Sequence, residues 1–124
     1  MQQDSQYLID IFQAAQRILE YTAGVSYQSF CEDVYLQDKI IRRLLTISKT
    51  AQRISYRTRE QSAEISWRNI NTLKQRILAD DPHMDTEKVW RIIQTEIPAL
   101  ARAFSSGLFS QEPDAKHLAG TASF

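Results

Sequence analysis

Three stretches of this chain repeat apolar residues at helical spacing, and together they leave little room for anything but packed helices. In the first, over residues 4–22, Leu8, Ile11, Phe12, Ala15, Ile18, Leu19 and Thr22 recur every three or four positions, the step that returns a side chain to one face of an α-helix. The second runs from Val34 to Tyr56 with a stripe of Ile40, Leu44, Ile47, Ala51 and Ile54, supplemented by Ile41 and Leu45. The third begins at a cap on Asp85 or Thr86 and carries Val89, Ile92, Ile93, Ile97, Leu100 and Phe104. No β-alternation or internal repeat competes. The pattern predicts an all-α protein, an up-and-down antiparallel bundle of four to five helices.

The punctuation agrees. Asp4 or Ser5 is expected to cap the first helix and Gly24 to stop it, and Ser26 to start a short helical turn reaching about Asp33. Residues 57–65 are polar without a period and predict a loop, after which Trp67, Ile70, Leu73 and Ile77 open a fourth helix that Pro82 cannot continue cleanly. Pro98 should kink or divide the last helix. Beyond Ser105-Ser106-Gly107 the period is lost, which predicts a bundle over residues 1–108 and a loosely held tail over 109–124.

At 124 residues the chain is one ordinary domain, large enough to bury a core without staples. Cys31 is the sole cysteine, so no intramolecular disulfide forms, and its place after Phe30 predicts a buried free thiol in a reducing compartment. No apolar run approaches the ~18 residues that span a bilayer, and Met1-Gln2-Gln3-Asp4 lacks a basic leader. A soluble, cytoplasmic protein without membrane contact is expected. His83 and His117 make no metal-ligand spacing with the scattered acids and there is no glycine-rich phosphate loop, so neither metal nor cofactor is expected. Trp67 and Trp90 lie in core registers and are expected to anchor packing.

Charge is unevenly placed. Fifteen basic and fifteen acidic residues cancel overall, yet residues 39–76 hold ten basic and two acidic side chains, a net of +8. Arg42, Lys49 and Arg53 fall on a different face of the second long helix from its apolar stripe, a candidate basic face for RNA or a protein partner. A solvated face whose charges are met by acids elsewhere accounts for the same pattern, because the basic run of residues 39–59 lacks interleaved aromatics on which bases could stack, apart from Tyr56.

Several local patterns occur together: Tyr7-Leu8 with Asp10-Ile11; Ser26, Phe30, Asp33 and Ile41-Arg42; Ile65-Ser66-Trp67-Arg68; Asp85 with Val89-Trp90; and Ile97-Pro98 with Leu100. In this combination, over roughly residues 4–104, the chain resembles the HepT-like branch of the HEPN superfamily, small all-helical RNase toxins that work beside nucleotidyltransferase antitoxins. The resemblance implies a homodimer, a small nucleotidyltransferase partner and metal-independent RNA cleavage.

In that branch an arginine and asparagine, then a histidine, then a tyrosine near the end of the fourth helix carry the chemistry. Histidine moves protons at neutral pH and arginine stabilises the charge that builds on phosphorus. Counting back from Val89-Trp90 and Asp85, those positions are Lys74, Gln75, Ala79 and Asp81, all four replaced. Lys74 keeps a charge without the bidentate fork, Gln75 nearly copies asparagine, Ala79 transfers no proton, and Asp81 removes the tyrosine that in the family receives AMP. The family's Gly-Glu-Ala element is likewise replaced by Ser48-Lys49-Thr50-Ala51.

A shifted pair keeps a second possibility open. Arg76 and His83 have six residues between them, which fits the broader superfamily spacing, although Ile77 stands where a polar residue is usual and Pro82 abuts the histidine. Two classes of function follow: an RNA-directed toxin-family protein whose RNase activity is weakened or lost, or a non-catalytic HEPN dimer that serves as a scaffold or partner-binding subunit.

Overall fold

The computed structural model describes residues 2–78 and 85–105. Among them lie seven helices and no strand: α1 (Gln2–Thr22), α2 (Tyr27–Glu32), α3 (Val34–Ala51), α4 (Tyr56–Gln61), α5 (Trp67–Asn71), α6 (Leu73–Leu78) and α7 (Thr86–Ala103). The fold is all-α, as the apolar period predicts. No helix of the described residues is long and apolar enough to cross a membrane. The expected tail over 109–124 lies outside the described residues.

The three long helices carry the three stripes. α1 lies against both α3 and α7, while α2 packs on α3 and α7, and α5 and α6 pack on α3. Ile11, Ala15 and Ile18 of α1, Ile40, Leu44 and Ile47 of α3, and Val89, Ile93 and Ile97 of α7 are almost fully buried in one core. Each large aliphatic side chain there contributes about 1.5–3 kcal/mol by leaving water. Aromatic pairs add to the packing: Phe12 meets Phe104 at 5.9 Å between ring centroids, and Phe30 meets Trp90 at 5.1 Å. Trp67 is buried and its indole N–H donates to the Ser62 carbonyl at 3.2 Å, whereas Trp90 is only partly buried.

The caps follow the local chemistry. Ser26, Asp33 and Asp85 each accept a backbone N–H of the first helical turn, from Ser29, Leu36 and Lys88 respectively. Gly24 stands between α1 and α2 at a φ of 76°, a backbone state that suits glycine.

The expected boundaries fail in informative places. α3 ends at Ala51 instead of Tyr56, because Arg53 and Ile54 donate three residues back, to Thr50 and Ala51, and Ser55 then starts a new helix. The expected loop at 57–65 contains α4, a helix that buries none of its residues and therefore shows no apolar period. Polar bonds hold it: the Ser55 hydroxyl accepts from the Thr58 N–H, the Tyr56 hydroxyl bonds Glu60 at 2.6 Å, and the Arg59 guanidinium donates to the Ala51 carbonyl at 3.0 Å. The expected fourth helix is broken into α5 and α6 at Thr72, whose hydroxyl donates to the Asn69 carbonyl. Pro98 lies inside a continuous α7 that it does not divide; Ile97, Leu100 and Ala101 around it are buried and hold the helix in place. Cys31, expected to be buried, is exposed, because Phe30 and not its neighbour takes the inward position of α2.

Asp4 departs most from its expected role. It does not begin α1 but lies within it, 6% exposed, and its carboxylate accepts from the Ser55 N–H at 3.2 Å, the Ser55 hydroxyl at 2.5 Å and the Thr58 hydroxyl at 2.6 Å. Burial alone would raise its pKa, but the bonds from Ser55 and Thr58 outweigh that and hold it below the ordinary carboxylate value. A carboxyl whose folded pKa is depressed stabilises the fold above its unfolded pKa, about 3.9, and that contribution disappears as pH falls through the folded value. Asp4→Ala should therefore cost about 1–3 kcal/mol at neutral pH. Urea unfolding of both proteins checks it: the gap between them should narrow at acid pH, and a gap independent of pH would refute the role of the charge.

Candidate functional site

The positions that should carry chemistry fall, along the sequence, in α6 and in the residues that follow it. α5 sets this region: Trp67 and Ile70 are buried, and Asn71 offers its carbonyl to the Ser48 hydroxyl of α3 at 3.5 Å. Leu73 and Ile77 then bury one side of α6 and leave Lys74 and Gln75 exposed on the other. Ala79, Asp81 and His83 lie outside the described residues.

Arg76 is the best-defined polar group of the region. Its guanidinium makes a two-pronged ion pair with the Glu96 carboxylate on α7, at 2.8 and 2.7 Å, and donates to the Asn69 carbonyl at 3.0 Å. Both side chains of the pair are about two-thirds buried, with 32% and 31% of their surface exposed. The hydrogen bonds to Glu96 raise the arginine's pKa further above its already high value. Such a fork matches a carboxylate in plane and charge. A phosphate would have to displace Glu96 to reach it, so Arg76 is built into the α6–α7 contact and is not presented to an incoming anion.

Beside this pair a cavity of about 140 Å³ opens between α5, α6 and α7. Ile70, Leu73 and Ile97 line it, and Glu64 and Glu96 place two carboxylates at its wall. Arg76 compensates the charge of Glu96, so what disfavours a polyanion here is Glu64 together with the apolar lining.

The expected basic face is partly assembled. Arg42 and Lys49 are exposed and two helical turns apart on α3, hence on one side. Arg53 follows the helix end and is also exposed. Arg42 pairs with Asp38 at 3.0 Å, both side chains well exposed at 78% and 59%, so the pair is screened and readily exchanged.

Two partners escaped the sequence. Glu96 stands twenty residues from Arg76 in a stretch read for its apolar stripe, and nothing in its spacing signals the pair. Tyr21 in the last turn of α1 reaches the basic run, with the Lys39 ammonium 5.1 Å from its ring centroid.

A core of three long helices with a polar, arginine-bearing α6 beside α7 makes this a small all-helical protein. The Ribonuclease HepT-like family model matches residues 11–106, and the chain belongs to that family. It is similar to an inferred ribonuclease HepT of Thermococcus cleftensis, 26% identical over 79% of this chain and 89% of the relative. It is also similar to an inferred RNase of Caldanaerobacter subterraneus subsp. tengcongensis, 24% identical over 77% and 86%, and to one of Methanocaldococcus jannaschii, 22% identical over 77% and 88%. No solved structure matches significantly.

Proposed function

We propose that this chain is an RNA-directed HepT-like protein of a toxin–antitoxin module, a homodimer paired with a nucleotidyltransferase antitoxin, in which RNase activity is weakened or lost. Family membership supports the RNA-directed half of this reading. The observation that carries the other half is the engagement of Arg76 by Glu96 and by the Asn69 carbonyl. With the in-register arginine replaced by Lys74 and histidine by Ala79, Arg76 is the guanidinium on which a shifted site would depend, and it already has a carboxylate in its fork. Exposed Val34 and Tyr35, at 71% and 85%, offer apolar surface suited to an assembly.

Purified protein should cleave RNA little, and His83→Ala and Arg76→Ala should leave that low rate unchanged. Cleavage assays on single-stranded RNA, with circular dichroism to confirm folding, check it. Robust wild-type cleavage abolished by His83→Ala would overturn the loss of activity in favour of the shifted pair. Failure to associate with a nucleotidyltransferase encoded beside it would remove the antitoxin pairing.

A further inference from the structure

The seam between α1 and α3 holds a recess of about 230 Å³ lined by Tyr21, Lys39, Arg42, Arg43 and Thr46. On α3, positions 42, 43 and 46 follow position 39 by three, four and seven residues, offsets that bring each to the side of Lys39. Three cations and a hydroxyl therefore share one wall, and Tyr21 from the last turn of α1 supplies the other. Arg42 has its screened pair with Asp38, Arg43 is half-buried with no ion pair among the described residues, and Lys39 rests over the Tyr21 ring.

We propose that this recess binds one nucleotide unit of single-stranded RNA, its phosphate held by Lys39, Arg42 and Arg43 and its base stacked on Tyr21. The inference deepens the RNA-directed reading and rests on it. Arginine forks match phosphate oxygens, and the surface pair with Asp38 is weak enough for a phosphate to replace the carboxylate. Lysine's flexible four-carbon stem lets its ammonium leave the ring for the same phosphate. The uncovered ring then offers a π-face to a base, as aromatic platforms beside basic grooves do in proteins that hold single strands. Tertiary packing thus supplies the aromatic that the basic run of residues 39–59 lacks in sequence, apart from Tyr56 at its far end.

Fluorescence anisotropy with a short labelled oligouridylate, alongside competition by inorganic polyphosphate, separates the two halves of the site. Arg42→Gln with Arg43→Gln should weaken RNA binding about tenfold or more and reduce the salt slope by about 0.7 for each phosphate no longer neutralised. Tyr21→Leu should weaken RNA about 5- to 150-fold while leaving polyphosphate unchanged, and Tyr21→Phe should behave as wild type. Lys39→Gln gives a second measure that leaves the Tyr21 packing intact: it should weaken polyphosphate more than RNA, because it removes a cation but frees the ring. RNA binding untouched by the arginine changes, or Tyr21→Leu and Lys39→Gln each acting equally on both ligands, would overturn the proposal. If the wild type binds RNA and these variants bind it equally well, this recess alone is refuted; if the wild type binds no RNA, the RNA-directed reading fails with it.

Discussion

Restoring the family's residues together, as Lys74→Arg, Gln75→Asn, Ala79→His and Asp81→Tyr, should raise RNA cleavage by about 100- to 10,000-fold, the usual contribution of a positioned proton-transfer group. Lys74 is exposed on α6, on the side away from buried Leu73 and Ile77, so an arginine there would keep its fork open to phosphate while Arg76 stays with Glu96. The histidine is the decisive member. A triple variant that retains Ala79 should stay close to wild type, and the activity of the full variant should follow pH with a break near 6.5, where a histidine ordinarily titrates. Single-turnover cleavage of a defined RNA measures both. A folded full variant no faster than wild type would show that the lost residues are not what limits this chain.

Leu44→Ala or Ile47→Ala should each destabilise the fold by about 2–5 kcal/mol, a large part of the 5–15 kcal/mol that holds a domain of this size. Both side chains have 0% exposure and belong to the core that α3 shares with α1 and α7, so truncation leaves a cavity that neighbours fill only in part. Leu45→Ala, on the half-buried flank of the same helix, should cost clearly less. Urea denaturation measures the difference as a lower midpoint with an unchanged slope. Equal effects at positions 44 and 45 would contradict the assigned core face.

The parts of the fold that announce themselves in sequence are those where one apolar face meets one core. Ile40, Leu44, Ile47, Ala51 and Ile54 are all buried as the stripe predicts, and so are Val89, Ile92, Ile93, Ile97, Leu100 and Phe104. What escapes is held by polar bonds between distant residues. α4 depends on Asp4, fifty-one positions before Ser55, and no window along the chain contains both. Cys31 follows a buried phenylalanine, and the turn of about 100° between helical neighbours carries it out of the core. At the site the positions of the eroded motif follow from the resemblance, whereas the engagement of Arg76 by Glu96 depends on how α6 and α7 meet.

Because α4 buries no side chain of its own, its local stability differs in kind from that of the helices around it. Packing sets the free energy of opening for α3, so its core amides exchange with solvent only in rare, near-global excursions. For α4 that free energy is set by a few hydrogen bonds, chiefly those that Asp4 makes to Ser55 and Thr58. Residues 55–61 are thus expected to act as a subglobal unit that comes loose while the three-helix core stays intact, with the Asp4 carboxylate and the Arg59 bond to the Ala51 carbonyl setting how often it does so.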